Sequence, residues 1–229
     1  MFGAYEAHKR SARSPLGTDP SGRVRYSAVL FDLFSALLDS GTVWNEVAGS
    51  EDLGARWREK SSGVAYSAGS YRPFVETVAD AARIAGVRPE RASDLLRGMS
   101  EGLAPWPEAP DVLRRLGEHV RIGVVTNCSE ELGQLVAARV GVAFDVVVTA
   151  EAAGAYKPRP EPYLLALDRL GVKPARALFV AGSPNDIDGA RGAGMDVCWH
   201  NRRRLPLGGH AAPHMELGSL EPLVELVSS

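Results

Sequence analysis

Four short stretches of the chain are almost wholly apolar and end in polar residues: 27–32 (SAVLFD), 120–127 (VRIGVVTN), 144–149 (FDVVVT) and 177–182 (ALFVAG). Apolar runs of this length without strict alternation suit strands buried on both faces, as in a parallel sheet. Between and after them, apolar positions recur at three- and four-residue spacing, which predicts helices over 109–117, 130–140, 161–170 and 188–193. Strand and helix alternate, so the predicted fold class is α/β with a doubly wound parallel sheet.

The stretch 39–107 interrupts that alternation. It reads as helical pieces at 48–60, 71–85 and 92–103 with no clear strand, closed by Pro105, Trp106 and Pro107. The expected organisation is a flexible tail over 1–25, an α/β core over 26–38 and 108–229, and a small helical cap over 39–107. The tail is polar, with Lys9, Arg10, Arg13, Arg23 and Arg25 set among Ser, Gly and Pro. Inserted directly after the first strand, the cap is expected to cover the rim where the strands end.

Ligands of open parallel sheets bind beyond the carboxyl ends of the strands. Polar residues from distant segments fall there: Asp32, Thr126, Asn127, Ser183 and Asp186. Each has a plain structural account when taken alone. Asp32 could cap the segment that follows it, Asp186 could be a turn or N-cap residue, and Lys157 could be a solvated loop lysine.

Composition narrows the function classes. The 229 residues are 45% hydrophobic and 24% charged, in the globular range, and exceed the size of one minimal domain. A net charge of −2 gives no whole-molecule attraction to nucleic acid or anionic membrane. Arg202, Arg203 and Arg204 form a basic run too short for a nucleic-acid surface. No apolar run approaches the ~20 residues of a membrane span, and no secretory signal is evident. Two cysteines, Cys128 and Cys198, make no disulfide framework, and neither they nor His200, His210 and His214 have zinc-like spacing. A cytoplasmic protein without nucleic-acid or membrane partners is expected.

The order of these residues resembles the four motifs of the haloacid dehalogenase superfamily, from about Val29 to Arg202. They are Asp32, Thr126-Asn127, Lys157-Pro158 and an Asp186 segment running through Gly189-Ala190-Arg191 to Met195. The resemblance implies Asp32 as a covalent nucleophile, with Lys157 keeping it ionised and Asp186 positioning the hydrolytic water. Phosphatases of that superfamily place a general acid two residues after the nucleophile, where this chain has Phe34, which cannot protonate an alkoxide. They also carry a Gly-Asp pair that helps bind Mg²⁺, where this chain has Ala181-Gly182.

Similarity is greater to the 2-haloacid dehalogenase branch. Trp57-Arg58 resembles that branch's Trp-Arg, with Tyr71 and Phe74 following in similar order; Tyr163 matches a tyrosine near the active site, and Cys198 to Arg202 resembles a Trp-x-Asn-Arg strand end. The resemblance implies that Arg58 and Asn127 receive the halide, Thr126 holds the substrate carboxylate, and Phe34, Tyr163 and Ser183 line the pocket. It implies an enzyme acting on a small anionic substrate with no cofactor, and it suggests a homodimer. Departures are Ser35-Ala36 in place of Gly-Thr, Ser183 in place of Asn and Ala181 in place of Ser, which are expected to remove hydrogen bonds from the nucleophile and the water site. Two other readings follow: a Mg²⁺-dependent phosphatase on a small phosphate ester or anhydride, with Asp32 and Asp186 as metal ligands, and a non-catalytic binding protein.

Overall fold

The computed structural model describes residues 25–228, so the expected tail lies outside the described residues except for Arg25. That residue pairs with Asp196 at 2.6 Å. The elements, in order, are β1 (Ala28–Phe31), α1 (Gly41–Ala48), α2 (Glu51–Ser67), α3 (Phe74–Ala85), α4 (Arg91–Gly102), α5 (Ala109–Gly117), β2 (Arg121–Thr126) and α6 (Glu130–Ala138). They continue with β3 (Val146–Thr149), α7 (Ala150–Ala153), α8 (Pro160–Leu170), β4 (Ala177–Ala181), α9 (Asn185–Gly192), β5 (Asp196–His200), β6 (Met215–Leu217) and α10 (Pro222–Ser228). A single π-helical turn over Leu33–Leu37 follows β1.

Six parallel strands form one sheet in the order β3-β2-β1-β4-β5-β6. β1 is buried throughout, and its residues alternate between two cores. Val29 and Phe31 pack with α5, α6 and α10, and Ala28 and Leu30 pack with α8 and α9. Helices therefore cover both faces, as the apolar runs require, since each such side chain gains ~1.5–3 kcal/mol by burial. Strand order reverses beside β1, so the crevice between the ends of β1 and β4 is the topological switch point where ligands of such sheets bind.

Between β1 and α5 the chain forms four helices rather than the three predicted. The piece expected at 48–60 is α2, which starts later and runs to Ser67, and α1 before it was not predicted: Gly49 adopts φ 86° and caps α1, and the Ser50 hydroxyl then accepts from Leu53 N at 3.3 Å to start α2. α3 starts only at Phe74, after Pro73. α2 packs against both α1 and α3. Trp57 lies buried at that junction, edge-on to Trp44 with centroids 5.0 Å apart, and donates to the Val78 carbonyl at 2.9 Å. No helix among the described residues is long and apolar enough to cross a membrane.

Candidate active site

Asp32 leaves the end of β1 with its carboxylate buried. The turn over Leu33–Leu37 brings the Ser35 amide to 2.8 Å and the Ser35 hydroxyl to 2.7 Å of Asp32 Oδ2. Lys157 Nζ meets Asp32 Oδ1 at 2.7 Å and Asp186 Oδ2 at 3.2 Å. Three segments far apart in the chain thus converge on one ammonium.

Each partner is placed by a local device. Asn127, just after β2, clamps the Lys157 backbone: its amide oxygen accepts from Lys157 N at 2.7 Å, and its nitrogen donates to Lys157 O at 3.0 Å. Asp186 sits in the first turn of α9, which starts three residues before the predicted 188. Gly189 lets α9 close on the Pro158 backbone, where a Cβ would come within 2.5 Å of the Pro158 oxygen. Behind the pair, Tyr163 donates to the Asp186 backbone oxygen at 3.4 Å and stacks edge-on against Phe179.

The charges are set by this geometry. Burial alone would raise the Asp32 pKa, but the Lys157 ammonium and the two Ser35 donors outweigh it and hold the group below the ordinary aspartate value. Burial raises Asp186 to about 6, with the Asp32 charge adding to the rise and Lys157 opposing it. Burial would lower Lys157, yet the two carboxylates raise it, so it stays an ammonium.

These groups open into a cavity of about 480 Å³ lined from both sides. Phe34, Ser35, Asn127, Ser183 and Asn185 contribute from the strand ends, and Trp44, Arg58, Tyr66, Phe74 and Met99 from the four inserted helices. Arg58 has no ion pair among the described residues. Burial, then the like charge of Arg203, lowers its pKa, and Asp39 partly offsets this. The guanidinium remains a cation facing the cavity wall.

Asp32, Lys157, Asp186, Phe34, Arg58, Asn127 and Ser183 are therefore brought to one cavity. Thr126 and Tyr163 are not part of its lining and need correcting. Thr126 is buried at the end of β2, where its oxygen accepts from Cys128 Sγ at 3.9 Å, outside the cavity lining. Tyr163 supports Asp186 from behind. Asn127 does line the cavity, but its amide is largely committed to Lys157, leaving one N–H for a ligand. The hydrogen bond expected to be lost with Ala36 is supplied by Ser35, one position earlier. Sequence reasoning missed Tyr66, half-buried in the cavity wall, and His200 at the end of β5. Tyr66 stands eight residues after Arg58 on the same helix, and only the shared i, i+4, i+8 face through Ser62 could have signalled it.

A divalent cation does not fit these donors. Asp32 and Asp186 already share the Lys157 ammonium, and no group of three His, Cys, Asp or Glu able to hold a metal occurs among the described residues. At Gly182, where a further carboxylate would be needed, an added Cβ would overlap the Ser35 and Ala36 backbone.

Fold and rim together define a doubly wound α/β hydrolase with its polar residues gathered at the switch point. The chain belongs to the haloacid dehalogenase-like hydrolases, whose family pattern matches residues 26–194. It is 29% identical over 199 residues to haloacetate dehalogenase H-2 of Moraxella sp., covering 78% of this chain and 87% of that one. It is 32% identical over 186 residues to phosphoserine phosphatase of Thermus thermophilus, covering 77% and 75%. Its fold is that of L-2-haloacid dehalogenase from Xanthobacter autotrophicus with chloropropionic acid covalently bound: TM-score 0.77, 23% identity, 89% of this chain and 99% of that one.

Proposed function

We propose that this hydrolase takes its substrate onto Asp32 as an ester and cleaves the carbon–halogen bond of a small 2-haloalkanoic acid. The observation that carries this reading is the Asp32 carboxylate, ionised by Lys157 and aimed by Ser35, at the floor of a largely apolar cavity whose wall holds Arg58, a cation with no ion pair among the described residues. A carboxylate oxygen attacks C2, a C–O bond forms, and the halide departs with the bonding pair towards Arg58 and the remaining Asn127 N–H. Water then attacks the ester carbonyl carbon while Asp186 takes its proton. The 2-hydroxy acid leaves and Asp32 is regenerated, with one halide and one proton released per turnover.

Phe34 suits this chemistry, because a halide needs no proton to leave. The helices over the cavity exclude bulk water and so strengthen the charge interactions below them. Chloride release from 2-chloropropionate tests the proposal. In ¹⁸O-labelled water, a single turnover deposits the label in Asp32, and activity unchanged in Asp32→Asn overturns the reading.

Similarity to a phosphoserine phosphatase favours a second reading, an aspartyl-phosphate formed on the same Asp32. Phe34 and the donor set that does not suit Mg²⁺ weigh against it. A panel of phosphate esters with and without Mg²⁺ separates the two, since metal-dependent phosphate release without halide release would reverse the assignment. Failure of every panel member to modify Asp32 would leave a binding protein.

A further inference from the structure

We propose that His200 determines specificity, by accepting a hydrogen bond from a hydroxyl or N–H carried on the apolar body of the substrate. The inference rests on the reading above, in which a 2-haloalkanoic acid reacts at Asp32, and it extends that reading to a larger class of acid.

His200 ends β5, is buried, and forms part of the cavity wall. Its Nδ1 lies 2.9 Å from the Ala36 carbonyl oxygen. A carbonyl only accepts, so Nδ1 carries the hydrogen, and in the neutral ring Nε2 is left as a bare acceptor. Burial lowers the histidine pKa and Arg202 adds to the effect, against the Ala36 bond and Glu108, so the ring stays neutral. Nε2 is buried and finds no partner among the described residues. Leaving such an acceptor unsatisfied costs ~1–3 kcal/mol. Nε2 is closed to solvent and the ring forms part of the cavity wall, so a donor carried by a ligand there reaches it through a small displacement of that wall.

Size and polarity of the cavity point the same way. A three-carbon haloacid fills on the order of 100 Å³, taking ~30 Å³ as the share of one water. Most of the 480 Å³ is left over. Trp44, Phe74, Met99, Trp106, Leu205 and Pro206 wall that remainder. An aryl or branched alkyl body fits these walls, and His200 supplies a polar point among them.

The test uses the Asp32→Asn protein, which binds without turnover, and follows tryptophan fluorescence on titration with 3-phenylpropionate and its three ring-hydroxylated isomers. At least one isomer is expected to bind about fivefold or more tighter than the parent, the value of one net hydrogen bond. Adding His200→Asn keeps an amide N–H for Ala36 but removes the distal acceptor, and the preference should vanish. Adding His200→Gln restores an oxygen near the Nε2 position, and the preference should persist. No preference among the isomers, a preference that survives His200→Asn, or no binding of any probe overturns the proposal. Halide release is not read in this test, so failure of the dehalogenation chemistry appears separately.

Discussion

Gly182 and Ser35 lie back to back: the backbone that leaves β4 touches the turn carrying the two donors to Asp32, with no room for a Cβ between them. The residue after β4 thereby sets the geometry of the nucleophile at the end of β1. It also separates this site from one that would place a carboxylate at 182.

Gly182→Asp is accordingly expected to push the 33–37 turn away from Asp32. Forcing extra atoms into so tight a contact costs about 1–3 kcal/mol. Denaturant unfolding should show that loss, and chloride release should fall with it. Mg²⁺ should not restore activity.

Asp186 gives the site its pH dependence. Ionised Asp186 is needed to take the proton from water, and esterification of Asp32 removes one of the charges that raise it, so activity should rise with pH through a value below the about 6 of the free site. Because burial raises its pKa in the folded chain, the folded state holds the extra proton between about 4 and 6, and Asp186 stabilises the fold progressively less as pH rises across that window. Asp32, lowered by Lys157 and Ser35, acts in the opposite sense and loses its contribution as pH falls through its folded pKa. Melting curves and rate profiles of the parent and Asp186→Asn should therefore diverge between pH 4 and 7, the variant being slow with a flat profile.

Removing Arg58 tests the leaving-group contact. Arg58→Ala should lower kcat/KM for 2-chloropropionate by ~10²–10³, as for loss of one donor aimed at developing charge. Arg58 makes no ion pair among the described residues, so the melting temperature should change little. A rate within threefold of the parent would dissociate Arg58 from the halide.

Asn127→Ala removes both bonds that fix the Lys157 backbone. Unpaired amide groups there should cost about 1–3 kcal/mol in unfolding free energy. Displacement of the lysine should lower kcat more than it raises KM, and steady-state kinetics would show the split.

Much of this was legible in the sequence, for reasons that can be named. Buried parallel strands need continuous apolar runs, and the four runs coincide with β1 to β4. The carboxylates and lysine fall at the ends of elements, where the topology delivers them to one rim. Three features were not legible. β6 is short, and its residues are exposed or half-buried, so it carries no apolar run. The turn over 33–37 depends on a contact with Gly182, remote in the chain, so local propensity is silent about it. Gly49-Ser50 did carry the C-cap and N-cap that divide α1 from α2, but helical periodicity runs through the break unmarked. Thr126 and Tyr163 were placed near the substrate by resemblance, and the resemblance did not distinguish facing the cavity from supporting it.

One ammonium shared by two carboxylates has a further effect during turnover. Once Asp32 carries an ester it is neutral, and Lys157 is left with Asp186 alone. The repulsion that helped raise the second acid disappears, so esterification itself favours the anionic Asp186 that must receive the proton from water. Completion of the first half-reaction would then arm the base for the second with no movement of the backbone.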